Sequence, residues 1–185
     1  GVPTGYKPLD QLTCGLQPGE LVVLAARPSV GKTAFAVCLT LHAAVQAKLP
    51  VLFFTLEMSA EAIGERMISA LGRVDSWRMR SGHLGDQWPA IYKAASPIAG
   101  APIYVDDTAS IGIGAIRSRA RAFRADRRLF ADPRQLGLIV VDYMQLVEPP
   151  KRREHREREV AEVSAGLKAM AKETGLPVLA LSQLK

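Results

Sequence analysis

Five short stretches of this chain are apolar without alternation: Leu21–Ala25 (LVVLA), Val51–Thr55 (VLFFT), Ile103–Asp106 (IYVD), Leu138–Asp142 (LIVVD) and Val178–Leu181 (VLAL). Continuous runs of four or five such residues, rich in β-branched side chains, predict strands buried on both faces. Helix-length segments separate them, predicted over about 33–47, 59–71, 114–128 and 157–174. The last places Val160, Val163, Leu167 and Met170 on one stripe and stops at Gly175. Ser59 stands where an N-cap is wanted, with Glu61 in the first turn behind it. Residues 72–100 read as helical but irregular, broken at Pro89, Pro97 and Gly100, with Trp77 and Trp88 expected in the core. Segments 132–135 and 148–158 read as loops. Alternation of strand and helix predicts right-handed crossovers and an α/β fold with a mostly parallel central sheet flanked by helices.

The 185 residues suit one domain, and 48% hydrophobic with 23% charged residues is a globular composition. No run of 18 apolar residues occurs, so no membrane span or membrane partner is expected. The opening GVPTGYKPLDQL lacks the pattern of a signal peptide, and a cytoplasmic location is expected. Two cysteines and three scattered histidines argue against a metal-ligand cluster and against a disulfide scaffold. The net charge of +6 is uneven. Residues 1–110 carry 9 basic and 9 acidic side chains, whereas residues 111–185 carry 15 and 9. Positive charge confined to one part of a chain points to an anionic partner, nucleic acid before membrane.

Between the first strand and the helix after it lies ARPSVGKT, residues 26–33. It meets the P-loop pattern GxxxxGK[ST] at all fixed positions except the first glycine, where Ala26 stands. Backbone N–H groups across Ser29, Val30, Gly31, Lys32, Thr33 and Ala34 can cradle a polyphosphate at a helix N-terminus, where the dipole favours anions. Gly31 lets the backbone approach closely, Lys32 can reach the β- and γ-phosphates, and the Thr33 hydroxyl can bind Mg²⁺. The cofactors expected are therefore ATP and Mg²⁺.

Asp142 ends the LIVVD strand, where a carboxylate can help hold the metal shell, the Walker B arrangement. Glu57 directly follows the VLFFT strand and thus points to the crevice beyond the strand ends. A carboxylate there can align and deprotonate an attacking water. Gln183 ends the last strand, where an amide can bond a γ-phosphate or that water. Asp106 and Asp107 also end a strand and read as structural.

Arg117, Arg121, Arg124 and Arg128 share one face of the 114–128 helix, which reads as a solvated face. Lys151, Arg152, Arg153 and Arg156 crowd the loop leaving the Asp142 strand, where they can track phosphates without reading bases.

Together the blocks TGYKPLDQLTCGLQPGELVVLAARPSVGKTAF, FFTLEMS, YVDDT, LIVVDYMQL and LALSQL resemble, in order, the C-terminal motor domain of bacterial DnaB-type replicative DNA helicases. The resemblance covers nearly the whole chain. It implies a RecA-like P-loop NTPase core and a homo-hexameric ring with ATP between subunits. It also implies 5′-to-3′ movement on single-stranded DNA, with primase and a helicase loader as partners. By the same resemblance Lys32 and Thr33 are Walker A residues, Glu57 the water-activating glutamate, Asp142 Walker B and Gln183 the phosphate-sensing glutamine. The 148–158 loop would be the first central DNA loop. Relative to the family, the chain lacks the N-terminal collar and linker helix. It also stops before the second DNA loop and the arginine finger supplied in trans, so residues 1–185 are expected to be one incomplete domain. A finger contributes about 10³–10⁵ in rate, so the fragment alone is expected to hydrolyse ATP poorly.

Two other functions share these motifs: an ATP-switched DNA-binding protein of recombinase or loader type, and a small-molecule P-loop kinase with the arginine helix as a lid. Replacing Lys151, Arg152 and Arg153 by Ala is expected to weaken single-stranded DNA binding equally across sequences and to flatten its salt dependence, as measured by titration at several salt concentrations.

Overall fold

The structure is a computed structural model, and it describes residues 1–148 and 156–184. Five strands form one sheet: β1 (Leu21–Ala26), β2 (Val51–Thr55), β3 (Ile103–Asp106), β4 (Leu138–Asp142) and β5 (Val178–Gln183). Their order is β1-β5-β4-β2-β3 and every pairing is parallel. The α/β architecture expected from the hydrophobic pattern is thus the one found.

Strand periodicity explains the two cores. In β2, Leu52 and Phe54 face one side and Val51 and Phe53 the other; β4 splits likewise into Ile139 with Val141 and Leu138 with Val140. The first side packs on α6 (Ile113–Ala125) and α7 (Arg156–Thr174), the second on α2 (Lys32–Leu41) and α3 (Ala60–Gly72). On α7 the stripe of Val163, Leu167 and Met170 is buried, with Val160 packed against its margin.

Several expectations need correction. Only β2 and β4 are buried along their whole length; β1 and β3 are sheet edges and half-exposed. Trp77 and Trp88 are not core residues, being 64% and 48% exposed. Trp77 lies on the short α4 (Ser76–Ser81) and stacks on His83, while Trp88 opens α5 (Trp88–Ala99) beside Tyr92. Helix α4 buries none of its residues, and Trp88 stands at the first residue of α5, whose buried residues are Ile91 and Ala94. A helix absent from the sequence reading, α1 (Lys7–Thr13), precedes β1. None of its residues is buried, so no apolar stripe announced it; Pro8 near its start and Asp10 in its first turn were the available signals. The helix expected over 33–47 is α-helical to Leu41 and continues as a single wider turn over His42–Gln46. Helix α6 stops at Ala125, where Asp126 leaves the helical conformation.

The arginines of α6 do not form a free solvated face. Arg117 and Arg121 both bind Glu173 near the end of α7, and Arg119 binds Asp106 and Thr108. Arg128, expected on the same helix, lies beyond its end and pairs with Asp126, whereas Arg124 donates to three main-chain carbonyls and lies over the Phe130 ring. These bonds join α6 to α7 and to the end of β3. Among the described residues no helix is long and apolar enough to cross a membrane.

Close approach of α6 to α7 depends on Gly166, where an added Cβ would run into the buried Ile113 side chain. Ile113 is itself held by its N–H bond to the Glu148 carbonyl, 3.2 Å. Gly166→Ala should therefore destabilise the domain: overpacking of about 1–3 kcal/mol exceeds the helix-propensity gain of about 1 kcal/mol. A lowered denaturant midpoint checks this.

Candidate nucleotide site

The parallel register brings four strand ends to the same edge of the sheet, those of β1 and β5 reaching two residues farther than those of β2 and β4. Ala26 of β1 pairs with Gln183 of β5, and Thr55 of β2 pairs with Asp142 of β4. All four lie at the carboxyl edge, where open parallel sheets bind ligands.

The loop after β1 turns through Ser29 and Gly31, which have φ of 62° and 99°. Gly31 suits a left-handed value, and a Cβ there would meet nothing within 4 Å, so the seat above it is open. Ala26, by contrast, is a β1 residue and needs no glycine. Helix α2 starts at Lys32, and its first turn is closed by the Phe35 N–H on the Gly31 carbonyl, 2.9 Å. Ser29, Val30, Gly31 and Ala34 are exposed around this turn. Lys32 Nζ donates to the Ala26 carbonyl at 3.1 Å, and the same oxygen accepts the Leu184 N–H at 3.0 Å.

Thr33 and Asp142 meet directly. The Thr33 hydroxyl donates to Asp142 Oδ2 at 2.7 Å although 109 residues separate them in the chain. Asp142 is buried. Burial pushes its carboxyl above the ordinary range, and the neighbouring Glu57 charge adds to that; the Thr33 bond and the Lys32 and Arg66 cations oppose it. Glu57 and Asp142, far apart in sequence, are thus electrostatic neighbours at the same edge.

The turn carrying Glu57 is fastened at several points. The Thr55 hydroxyl donates to the Met58 carbonyl at 2.9 Å, and the Leu56 N–H donates to the Asp142 carbonyl at 2.8 Å. Ser59 caps α3 by accepting the Ala62 N–H, and Asp107 accepts the Ala60 N–H at 3.0 Å. Asp107 therefore fixes the start of the helix behind Glu57, and Asp106 holds Arg119; both act structurally, as their sequence context suggested.

This donor set fits a polyphosphate with a divalent cation. It offers exposed amides at a helix start, one ammonium, one hydroxyl and two carboxylates, one of them destabilised as an anion until a cation joins it. Lys151, Arg152 and Arg153 lie outside the described residues, as does the side chain of Arg156.

Comparison with known proteins then decides the family. The sequence profile for the DnaB-like helicase C-terminal domain matches residues 1–185. The chain belongs to that family. It is 44% identical over 186 residues to the replicative DNA helicase DnaB of Buchnera aphidicola subsp. Schizaphis graminum, and 45% identical over 187 residues to that of Pasteurella multocida. In both cases all of this chain is covered but only 39% of the relative. Among solved structures, a DnaB-like replicative helicase described with its primase interactions superposes with a TM-score of 0.91 at 31% identity, covering 100% of this chain and 43% of that one. A second solved structure, described as an ATPase domain, gives 0.90 at 31% identity, covering 100% and 64%. The DnaB-like family assignment brings a RecA-like ATPase fold and use of a nucleotide with a divalent metal. It does not favour the recombinase, loader or kinase readings.

Two residues of this family member escaped the sequence reading. Arg66, on α3, contributes positive potential at Asp142. Gln145 sits in the short 3₁₀ turn Met144–Leu146 after β4 and bonds to the end of β5. A polar side chain within the otherwise apolar MQLV was the available signal.

The raised carboxyl of Asp142 sets a sign for stability. A folded-state value above the unfolded one, near 4, means stability falls as pH rises between the two. Asp142→Asn keeps an acceptor for Thr33 and removes the charge. Without metal or nucleotide, with a chelator present, it should melt higher than the wild type at pH 7, and the difference should vanish below about pH 4.

Proposed function

We propose that this chain is the ATP-hydrolysing motor part of a replicative DNA helicase, and that the full-length protein hydrolyses ATP to move along single-stranded DNA and unwind the duplex at the fork. The observation that carries this reading is the meeting of Thr33, Asp142 and the Glu57 turn at one sheet edge beside Lys32. In this reading residues 1–185 are one RecA-like ATPase domain of a longer protein. That protein works as a homo-hexamer in the cytoplasm, with single-stranded DNA, primase and a helicase loader as its partners.

The residues take distinct roles. Amides over 29–34 and the Lys32 ammonium seat the phosphates, and binding moves Lys32 from the Ala26 carbonyl to phosphate oxygens. Thr33 and Asp142 would hold Mg²⁺, which supplies charge neutralisation at the β- and γ-phosphate oxygens. Glu57 orients a water for in-line attack on the γ-phosphorus and accepts its proton; the bond from that phosphorus to the β,γ-bridging oxygen breaks, so ADP leaves and the water oxygen stays on the released phosphate. The fastened turn at Thr55–Ser59 keeps that carboxylate from drifting. Gln183 meets the γ-phosphate from the end of β5 and loses that partner after cleavage. Lys151, Arg152, Arg153 and Arg156 contact the DNA backbone.

Forked-duplex unwinding by the full-length protein tests the reading; unwinding that needs ATP and fails with ADP is expected, and none with ATP would overturn it. Two variants separate the roles. Lys32→Ala should weaken nucleotide binding by at least about tenfold, the loss of a charge-assisted bond. Glu57→Gln should bind nucleotide normally and lose about 10²–10⁴ in kcat; equal loss of binding and turnover would make Glu57 structural.

A further inference from the structure

Strand β5 outruns its neighbour. Its pairing with β4 ends at Val141↔Ala180, whereas its pairing with β1 continues to Ala26↔Gln183. Beyond Ala180, β4 no longer supplies a ladder on that side, because the chain turns away after Asp142 into the Met144–Leu146 turn. A strand end paired on one edge alone frays, and here that end carries Gln183.

The Gln145 side chain occupies the unpaired edge. Its Oε1 accepts the Gln183 N–H at 3.2 Å, and its Nε2 donates to the Gln183 carbonyl at 3.1 Å and to Ser182 Oγ at 2.8 Å. One amide thus gives a donor and an acceptor to the same residue's main chain, as a neighbouring strand would. The turn holding Gln145 is itself closed, by Leu146 N–H on the Tyr143 carbonyl at 3.0 Å and Val147 N–H on Met144 at 3.2 Å. Only two residues separate Gln145 from Asp142, which is anchored to Thr33 through its carboxylate and to Leu56 through its carbonyl.

We infer that Gln145 is a positioning residue whose side-chain amide stands in for the missing β4 backbone, locking the Gln183 end of β5 to the Asp142 turn so that the two respond to the γ-phosphate as one unit. This rests on the sensing role proposed above for Gln183. The bonds form a closed circuit around the phosphate seat: Thr33 to Asp142, through the turn to Gln145, across to Gln183 and Leu184, back to the Ala26 carbonyl and Lys32. Gln145 is the link joining its β4 half to its β5 half.

The test measures preference for the γ-phosphate in the full-length protein, as the ratio of Kd for ADP to Kd for a non-hydrolysable ATP analogue, both with Mg²⁺. Gln183→Ala should lower the ratio by about tenfold, the worth of one hydrogen bond to a charged group. Gln145→Leu, which keeps the bulk and removes the amide, should lower it to the same level, and the double variant should go no lower. Gln145→Glu keeps the acceptor for the Gln183 N–H but loses both donated bonds, and should fall between; it also decides the matter if Gln145→Leu does not fold. A purely structural role would lower the melting temperature and leave the ratio alone. An unchanged ratio in both Gln145 variants beside a reduced one in Gln183→Ala would overturn the inference and spare the sensing role, as would additive effects in the double variant. An unchanged ratio in Gln183→Ala would overturn the sensing role, and the inference with it.

Discussion

Ala26 lies opposite Gln183 and Thr55 opposite Asp142, the first pair two residues beyond the second, so the ends of four parallel strands are held at fixed relative heights along one edge. Everything chemical in this domain depends on that register. A slip of one residue would send each side chain to the opposite face of the sheet. It would also part Thr33 from Asp142, because the helix carrying Thr33 is tied to the end of β1 by a short loop. The register is in turn enforced by burial on both faces: Phe53 and Phe54 point into different cores, and neither can be exchanged for the other without opening both.

The electrostatics follow from the same alignment. Bringing a buried Asp142 beside Glu57 is unfavourable in itself, and the nearby hydroxyl and two cations offset it only in part. Such a site is poised to take up a cation, and a phosphate-bound metal would relieve the repulsion between its carboxylates. The arginines of α6 have a different task. They are committed to Glu173, Asp106 and main-chain carbonyls, so they tie α6 to α7 and to the end of β3.

Strands β2 and β4 were readable because full burial demands an unbroken apolar run, and the phosphate loop because its spacing is tied to a strand before it and a helix after it. Asp142 and Glu57 followed from the rule that ligands meet strand ends. What was hidden has physical reasons. Helix α1 buries nothing, so it leaves no periodic trace. Trp77 and Trp88 look like core residues by type, but α4 buries nothing and Trp88 stands at the very start of α5, ahead of its buried Ile91 and Ala94. The partner of Arg117 lies in another helix, more than fifty residues on, which no local pattern reveals. Gln145 matters only because β5 is longer than β4, a fact of pairing rather than of composition.

The carbonyl of Ala26 is shared by the Leu184 amide and the Lys32 ammonium. The lysine therefore has a berth before any phosphate arrives, and its long side chain is already ordered along the loop. Capturing a nucleotide then exchanges one partner for a stronger one instead of freezing a wandering chain, which keeps the entropic cost of binding small. In the proposed motor, release of the phosphate returns the ammonium to that same oxygen, so one main-chain acceptor serves as the resting place of the charge.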